Sequence, residues 1–272
     1  MTDSWWLKLD RAEHHLKEVA DNVQRFADGH PYEAVPAPDR PSDGIIRYFN
    51  LRITSQPDER LAVVVGDVIH NTRSALDHLM VGLVPRNRSR KTGFPIFEKS
   101  PFDRTGSPLD NDDGKRWVKL TTGLKDRPLA IIKALQPFQT PPQETIDFCR
   151  ANGLDPADIN GLAMLSRFDN ADKHRELLAV ACGIEGGVVT VTINDDSVET
   201  QLDGFREDGS GLTKVHVGRL PPNAEVKVEV SAAVRVALEV RKERGVTGLP
   251  GTLDKMIGHV RDICGSLGPL AR

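Results

Sequence analysis

The alternation of apolar and polar residues predicts a chain that is helical first and rich in strands later. Asp155 and Pro156 have the composition of a helix start, because Asp caps the first free N–H groups and Pro fits the first helical position. Apolar residues at helical spacing predict helices over 4–27, 61–84, 127–135, 156–181 and 251–267.

A period of two replaces the helical period after Gly186 and Gly187. Val189, Val191 and Ile193 alternate with threonines, which is typical of a strand with two different faces. The segments 45–53, 189–193, 198–203, 212–218 and 225–238 are predicted to be strands, and residues 204–211 a hairpin turn. Residues 32–44 predict a loop, and residues 91–126 an extended crossover.

The order of these elements predicts an α+β fold in a single domain over residues 1–272. About four to five helices are expected to pack against a C-terminal antiparallel sheet. The predicted parts are a mainly helical portion over 1–185, the sheet over 186–240 and a C-terminal helix over 250–268.

Composition narrows the class of protein without selecting a function. The 39% hydrophobic and 28% charged residues are ordinary for a globular protein. Three distant cysteines without a CxxC pair favour a reducing compartment, and charges soon after Trp5 and Trp6 break any signal-peptide core. The charges within 61–84 disfavour a membrane span, so we expect a soluble cytoplasmic protein. A net charge of -3 creates no general attraction for nucleic acid.

The helix predicted over 61–84 carries an unusual set of polar side chains on one face. They are Asp67, His70, Asn71, Arg73, Ser74, Asp77 and His78. Lys, Glu and Gln, which usually fill a water-facing stripe, do not occur between residues 61 and 84. Short donors and acceptors suit fixed hydrogen bonds, so this stripe is expected to face protein, a cleft or a partner chain.

The helix predicted over 156–181 has apolar residues nearly all round it, which indicates burial on most sides. It also carries the charged run Asp169-Asn170-Ala171-Asp172-Lys173-His174-Arg175. Buried charges are costly unless they are paired, so part of this run is expected to meet the polar stripe of the earlier helix. The alternative is that Lys173, Arg175 and Glu176 simply reach solvent.

Three strings of the chain resemble a family of uncharacterised bacterial proteins with an HNxRSALDH, QPyQ and DKHR pattern. In this sequence they are His70 to His78, Gln136 to Gln139 and Asp172 to Arg175. The resemblance covers residues 45–180 approximately and implies no particular activity.

The spacing of Arg73 and His78 also resembles the motif of HEPN ribonucleases, in which His follows Arg by four to six residues on a helix. That resemblance implies metal-independent RNA cleavage without a cofactor, with His78 transferring a proton at the 2′-hydroxyl and Arg73 stabilising phosphate charge. Five residues separate the two side chains by about 140° around a helix, so this hypothesis requires a homodimer or a curved substrate.

The ribonuclease hypothesis defines two sets of candidate residues. The catalytic candidates are Arg73, His78, His70, Asp77 and His174. The RNA-binding candidates are Asn71, Ser74, Asp172, Lys173, Arg175, Arg88 and Arg90, the last two in a basic loop over 86–91.

Two other interpretations of the same residues stay open. In the first, the protein is non-catalytic: the polar stripe forms a buried network in which Asp77 holds Arg73, secures a dimer or binds a small ligand. In the second, His70, Asp77, His78, Asp169, Asp172 and His174 supply ligands for a metal-dependent hydrolase. Their spacing matches no recognised metal motif, and Arg73 and Lys173 nearby would repel a cation.

Overall fold

The chain folds into helices and antiparallel sheets in a computed structural model. The structure describes residues 3–37, 46–87, 92–152, 160–174, 176–194, 196–217, 220, 224–240 and 246–271. Within these residues, the helices are α1 (Ser4–Asp28), α2 (Arg60–Leu83), α3 (Asp112–Thr121), α4 (Asp126–Ala134), α5 (Gln143–Asn152), α6 (Gly161–Lys173) and α7 (Gly251–Leu267). A short 3-10 turn, Gly268–Leu270, follows α7. The predicted α+β class is confirmed.

Over the described ranges, the strands form two sheets with antiparallel pairing. They are β1 (Tyr32–Pro36), β2 (Ile46–Ile53), β3 (Leu177–Ile193), β4 (Asp196–Gln201), β5 (Phe205–Glu207), β6 (Gly211–His216), β7 (Val226–Val240) and β8 (Val246–Gly248). One sheet has the order β1-β2-β6, and the other has the order β4-β3-β7-β8 with β5 also paired to β3. The first sheet therefore contains two strands from the N-terminal part of the chain, in addition to the predicted C-terminal ones.

Backbone contacts divide the chain into two compact units. The first unit comprises residues 1–18, 63–177 and 251–272 and is built of helices. The second comprises residues 19–62 and 178–250 and contains both sheets. In the second unit, the Tyr32 hydroxyl donates to the Ala232 carbonyl (2.8 Å) and accepts from the Ala232 N–H (2.9 Å), which fastens β1 to β7.

Apolar residues at the helical spacing of α2 and α7 contribute to the core of the first unit. Buried side chains on α2 include Val65, Val68, Ile69, Leu76, Leu79 and Met80, and those on α7 include Leu253, Met256, Ile257, Val260 and Ile263. Complete burial of one such side chain stabilises a fold by about 1.5–3 kcal/mol. This burial leaves the opposite face of α2 to carry the polar side chains of the candidate site.

The prediction of a helix over 156–181 is wrong at the C-terminal end of this range. The Asn160 side chain accepts from the Leu162 and Ala163 N–H groups and starts α6, whereas residues 153–159 lie outside the described residues. The helix ends at Lys173, where the Glu176 N–H bonds to the Ala171 carbonyl (2.9 Å). Residues 177–181 are strand instead. Their apolar side chains at successive positions look the same in sequence as a continuation of the helix.

Other short elements also differ from the prediction. The segments predicted to be a crossover and a loop contain α3 and β1, and the predicted hairpin turn contains β5. Strand β1 lies at the edge of its sheet, where Pro36 is tolerated because an edge residue needs no ladder N–H. Helix α3 buries only Gly114, Trp117 and Thr121, so its buried face carries almost no hydrophobic signal.

Candidate functional site

A polar cleft in the helical unit collects side chains from α2, α3 and α6. Its volume is about 260 Å³. The lining residues are Arg73, Asp77, Ile96, Arg116, Ser166, Asp169, Asn170 and Lys173. Seven of these eight residues are polar, and they include both cations and carboxylates, so the cleft is suited to contacts with a polar molecule.

Arg73 and Asp77 form the α2 side of the cleft and bind the backbone of the neighbouring residue Phe94. The Asp77 carboxylate accepts from the Phe94 N–H (2.8 Å) and from Arg73 Nη2 (3.1 Å). Arg73 Nη2 also donates to the Phe94 carbonyl (2.7 Å). Phe94 is buried outside any helix or strand, so these side chains satisfy backbone groups that would otherwise lack partners. The predicted Arg73–Asp77 pair is therefore present and has a structural role.

The α6 side of the cleft contains a second ion pair. Lys173 Nζ donates to Asp169 Oδ2 at 2.5 Å, at the i,i+4 spacing of a helix. The Asp169 side chain is 10% exposed and that of Lys173 is 58% exposed. The pair thus keeps a nearly buried carboxylate neutralised while leaving part of the ammonium open to solvent or to a ligand.

Arg116 contributes the third cation, from α3. Its guanidinium lies 5.3 Å from the centre of the buried Phe97 ring, a distance at which a cation is attracted to an aromatic face. Phe97 in turn contacts the edge of Trp117. Within the described part of the chain, Arg116 has no acidic partner. It is the cation of the cleft whose charge is not matched by a neighbouring carboxylate.

Helices α2 and α6 approach closely where Gly66 faces Asp172. A Cβ atom at Gly66 would lie 2.4 Å from Asp172 Oδ1, so the Asp172 carboxylate packs directly against this glycine. Burial raises the pKa of Asp172, and repulsion from Asp169 and Asp67 raises it further, against smaller opposing effects of His70 and Lys173. The expected meeting of charged residues on α6 with the polar stripe on α2 is thus present at this position.

Replacement of Asp172 by asparagine is expected to stabilise the protein at neutral pH. Because the folded-state pKa lies above the unfolded-state value, ionisation of Asp172 lowers the free energy of unfolding as pH rises through these values. Asp172→Asn should gain a few tenths of a kcal/mol at pH 7, since the group is partly solvated. Urea unfolding should show no such gain near pH 3, where ordinary aspartates are protonated. An equal gain at both pH values, or in the exposed control Asp10→Asn, would contradict this cause.

The remaining sequence-predicted residues lie in several places. Asn71 is buried, donates to the Asp67 carbonyl (2.8 Å) and accepts from Lys8 Nζ (3.3 Å), so its hydrogen bonds are internal. Ser74 and His78 are half-buried, His70 and His174 are exposed, and none of these four lines the cleft. His174 is the C-cap of α6. Arg88, Arg90 and Arg175 lie outside the described residues.

Three polar lining residues, and the apolar Ile96, were not among the candidate site residues predicted from the sequence. Ser166 and Asn170 lie one turn apart on α6 together with Asp169 and Lys173, a pattern that was visible in the sequence at i, i+3, i+4 and i+7. Arg116 lies about forty residues from Arg73 in the chain, in a segment without clear periodicity, so no local signal connects it with the cleft.

Comparisons with known proteins identify no relatives: no protein-family model, no curated protein and no solved structure matches the chain. The resemblances to the HNxRSALDH proteins and to HEPN ribonucleases therefore stay predictions. Among the described residues, no helix is both long and apolar enough to cross a membrane. Over the same ranges, no three or more His, Cys, Asp or Glu side chains are grouped so that they would hold a metal ion.

Proposed function

We propose that this protein binds a small polar ligand in the cleft formed by α2, α3 and α6. The observation that carries this proposal is the convergence, on one concave surface, of polar side chains that other protein groups do not pair. The side chains of Ser166 and Asn170 make no hydrogen bond within the described ranges, and Arg116 has no acidic partner there. A network with a purely structural role satisfies its polar groups internally, as Arg73 and Asp77 do around Phe94.

Arg73 also has hydrogen-bond donors that remain available to a ligand. Both of its hydrogen bonds use Nη2, one to Asp77 and one to the Phe94 carbonyl. A guanidinium has five N–H groups, so Nε and Nη1 retain three donors that no described residue accepts. The bonds to α2 and to the adjacent chain fix the plane of this group, which reduces the entropy lost when a ligand binds.

Filling the cleft is expected to abolish ligand binding. Thermal unfolding would be measured with a panel of small anionic, neutral and cationic polar compounds, because a ligand specific to the folded state raises the midpoint. Ser166→Trp should remove the shift by occupying the cleft. The control Lys119→Trp places the same bulk on the exposed side of α3 and should keep the shift. A panel without any shift, or a shift that Ser166→Trp leaves intact, would contradict the proposal.

Ribonuclease activity is a second candidate, and the placement of Arg73 in a cation-containing cleft is the observation that favours it. His78 does not line this cleft, so the hypothesis still needs a second copy of the chain to complete the site. The test is incubation of labelled RNA with the protein in EDTA. Cleavage that is lost in His78→Gln, with the fold retained, would support ribonuclease activity, and absence of cleavage would reject it.

A further inference from the structure

We infer that the ligand of the cleft carries an oxyanion, either a carboxylate or a phosphate group, and that Arg116 is its principal contact. This inference rests on the proposed binding function and adds the chemical class of the ligand. Its basis is the charge of the lining residues. Arg73, Arg116 and Lys173 provide three positive charges, whereas Asp77 and Asp169 provide two negative ones.

The internal pairing of these charges leaves Arg116 as the excess cation. Asp77 neutralises Arg73 at 3.1 Å, and Asp169 neutralises Lys173 at 2.5 Å. Arg116 has no corresponding carboxylate among the described residues. A cationic ligand would therefore meet a net positive surface, and an oxyanion would supply the missing negative charge.

The packing of Arg116 against Phe97 favours a directional contact with an oxyanion. Its guanidinium is held over Phe97, and Phe97 is 5% exposed, with its N–H bonded to Gln136 Oε1 (3.1 Å). The ring is thus fixed by its burial and by a backbone hydrogen bond. Contact with a ring face leaves the N–H groups at the edge of a guanidinium available, and this edge matches the two oxygens of a carboxylate or phosphate.

Other lining side chains can also donate hydrogen bonds to an oxyanion. The spare donors of Arg73 and the partly exposed ammonium of Lys173 would share the negative charge. The Ser166 hydroxyl and the Asn170 amide provide neutral donors beside them. The cleft volume of about 260 Å³ is sufficient for a small metabolite-sized anion.

Four probes separate the possible ligand classes. Inorganic phosphate and succinate represent the two oxyanions, glycerol a neutral polyol and choline a cation. Calorimetric titration of the full chain at low ionic strength should give binding of phosphate, succinate or both, and not of glycerol or choline. Added salt should weaken this binding, because charge attraction at an open cleft is screened.

Arg116 variants test the principal contact. Arg116→Ala should weaken oxyanion binding by about tenfold or more, the expected loss of a hydrogen bond between charged groups. Arg116→Lys should weaken it less than Arg116→Ala, because charge is retained while the planar fork is lost. Arg127→Ala removes an exposed arginine on α4 outside the cleft and should leave affinity unchanged. Arg116 is exposed, so loss of its contact with Phe97 should lower stability only slightly, and the folded state should be retained in all three variants.

The outcomes distinguish this inference from the proposed function. Oxyanion binding that is unchanged in Arg116→Ala, or binding only of glycerol or choline that Ser166→Trp removes, would overturn the inference and leave a ligand-binding cleft. Absence of binding by both phosphate and succinate would also overturn it, while the wider panel decides the proposed function separately.

Discussion

Replacement of Gln136 by leucine is expected to lower the free energy of unfolding by about 3 kcal/mol. Gln136 is 2% exposed and lies just after α4. Its Oε1 accepts from the Phe97 N–H (3.1 Å), and its Nε2 donates to the carbonyls of Pro95 and Ile132 (both 3.0 Å). Leucine of similar size would leave the buried backbone groups of residues 95 and 97 without partners, and each such group costs about 1–3 kcal/mol.

The expected loss of stability in Gln136→Leu follows from the backbone conformation between Thr92 and Phe97. This segment belongs to no described helix or strand, although residues 94–97 are buried. Its polar groups are satisfied by side chains: Phe94 by Arg73 and Asp77, and residues 95 and 97 by Gln136. The segment also supplies Ile96 and the Phe97 ring to the cleft region, so its disorder would reduce ligand binding together with stability.

Gln139→Leu is the matched control for Gln136→Leu. Gln139 is half-buried and donates a single side-chain hydrogen bond, to the Lys133 carbonyl (2.8 Å). Its replacement should cost about 1 kcal/mol or less. Chemical denaturation of both variants measures the difference. Equal losses in the two variants would show that Gln136 does not hold the segment as described.

The sequence predicted the elements whose burial follows a regular period. Helices α2 and α7 were predicted from apolar residues at helical spacing, and most of these residues are buried. The boundary between α6 and β3 was not predictable in this way, because Leu177 and the residues after it are apolar at successive positions. Such a run fits a helix and a strand equally, and the end of the helix depends on its capping geometry.

The site was predictable where the chemistry lies on a single helix. The stripe on α2 indicated a fixed polar face, and Arg73 and Asp77 do make fixed hydrogen bonds. The partner of that pair is the backbone of Phe94. Every residue other than proline has the same backbone groups, so a pattern of residue types cannot predict this contact. Arg116 was not predictable, since its position beside Arg73 is a consequence of how α3 packs in three dimensions.

Replacement of Gly114 by alanine is expected to destabilise the protein by about 2–3 kcal/mol. A Cβ atom at Gly114 would lie 1.9 Å from the Leu109 carbonyl oxygen and 2.7 Å from the Leu109 carbonyl carbon and nitrogen. These are backbone atoms, and the Leu109 N–H is bonded to the Pro101 carbonyl (2.9 Å), so the loop has little freedom to move away. Overpacking of this kind typically costs 1–3 kcal/mol, and the first turn of α3 would shift.

Gly265→Ala is the same chemical change, but it is expected to raise the stability of the protein. Gly265 is an exposed residue of α7, and a Cβ atom there would meet nothing within 4 Å. Alanine should therefore stabilise the helix by about 0.5–1 kcal/mol, since it restricts the unfolded chain and favours helix formation.

Thermal unfolding of the two glycine variants separates the steric cost from the propensity gain. Because Arg116 follows Gly114 by two residues on α3, Gly114→Ala should also weaken any ligand binding that Arg116→Ala weakens, whereas Gly265→Ala should not. If Gly114→Ala instead proves as stabilising as Gly265→Ala, the close approach of α3 to Leu109 is not present in solution. The position that this approach gives to Arg116 would then be lost with it.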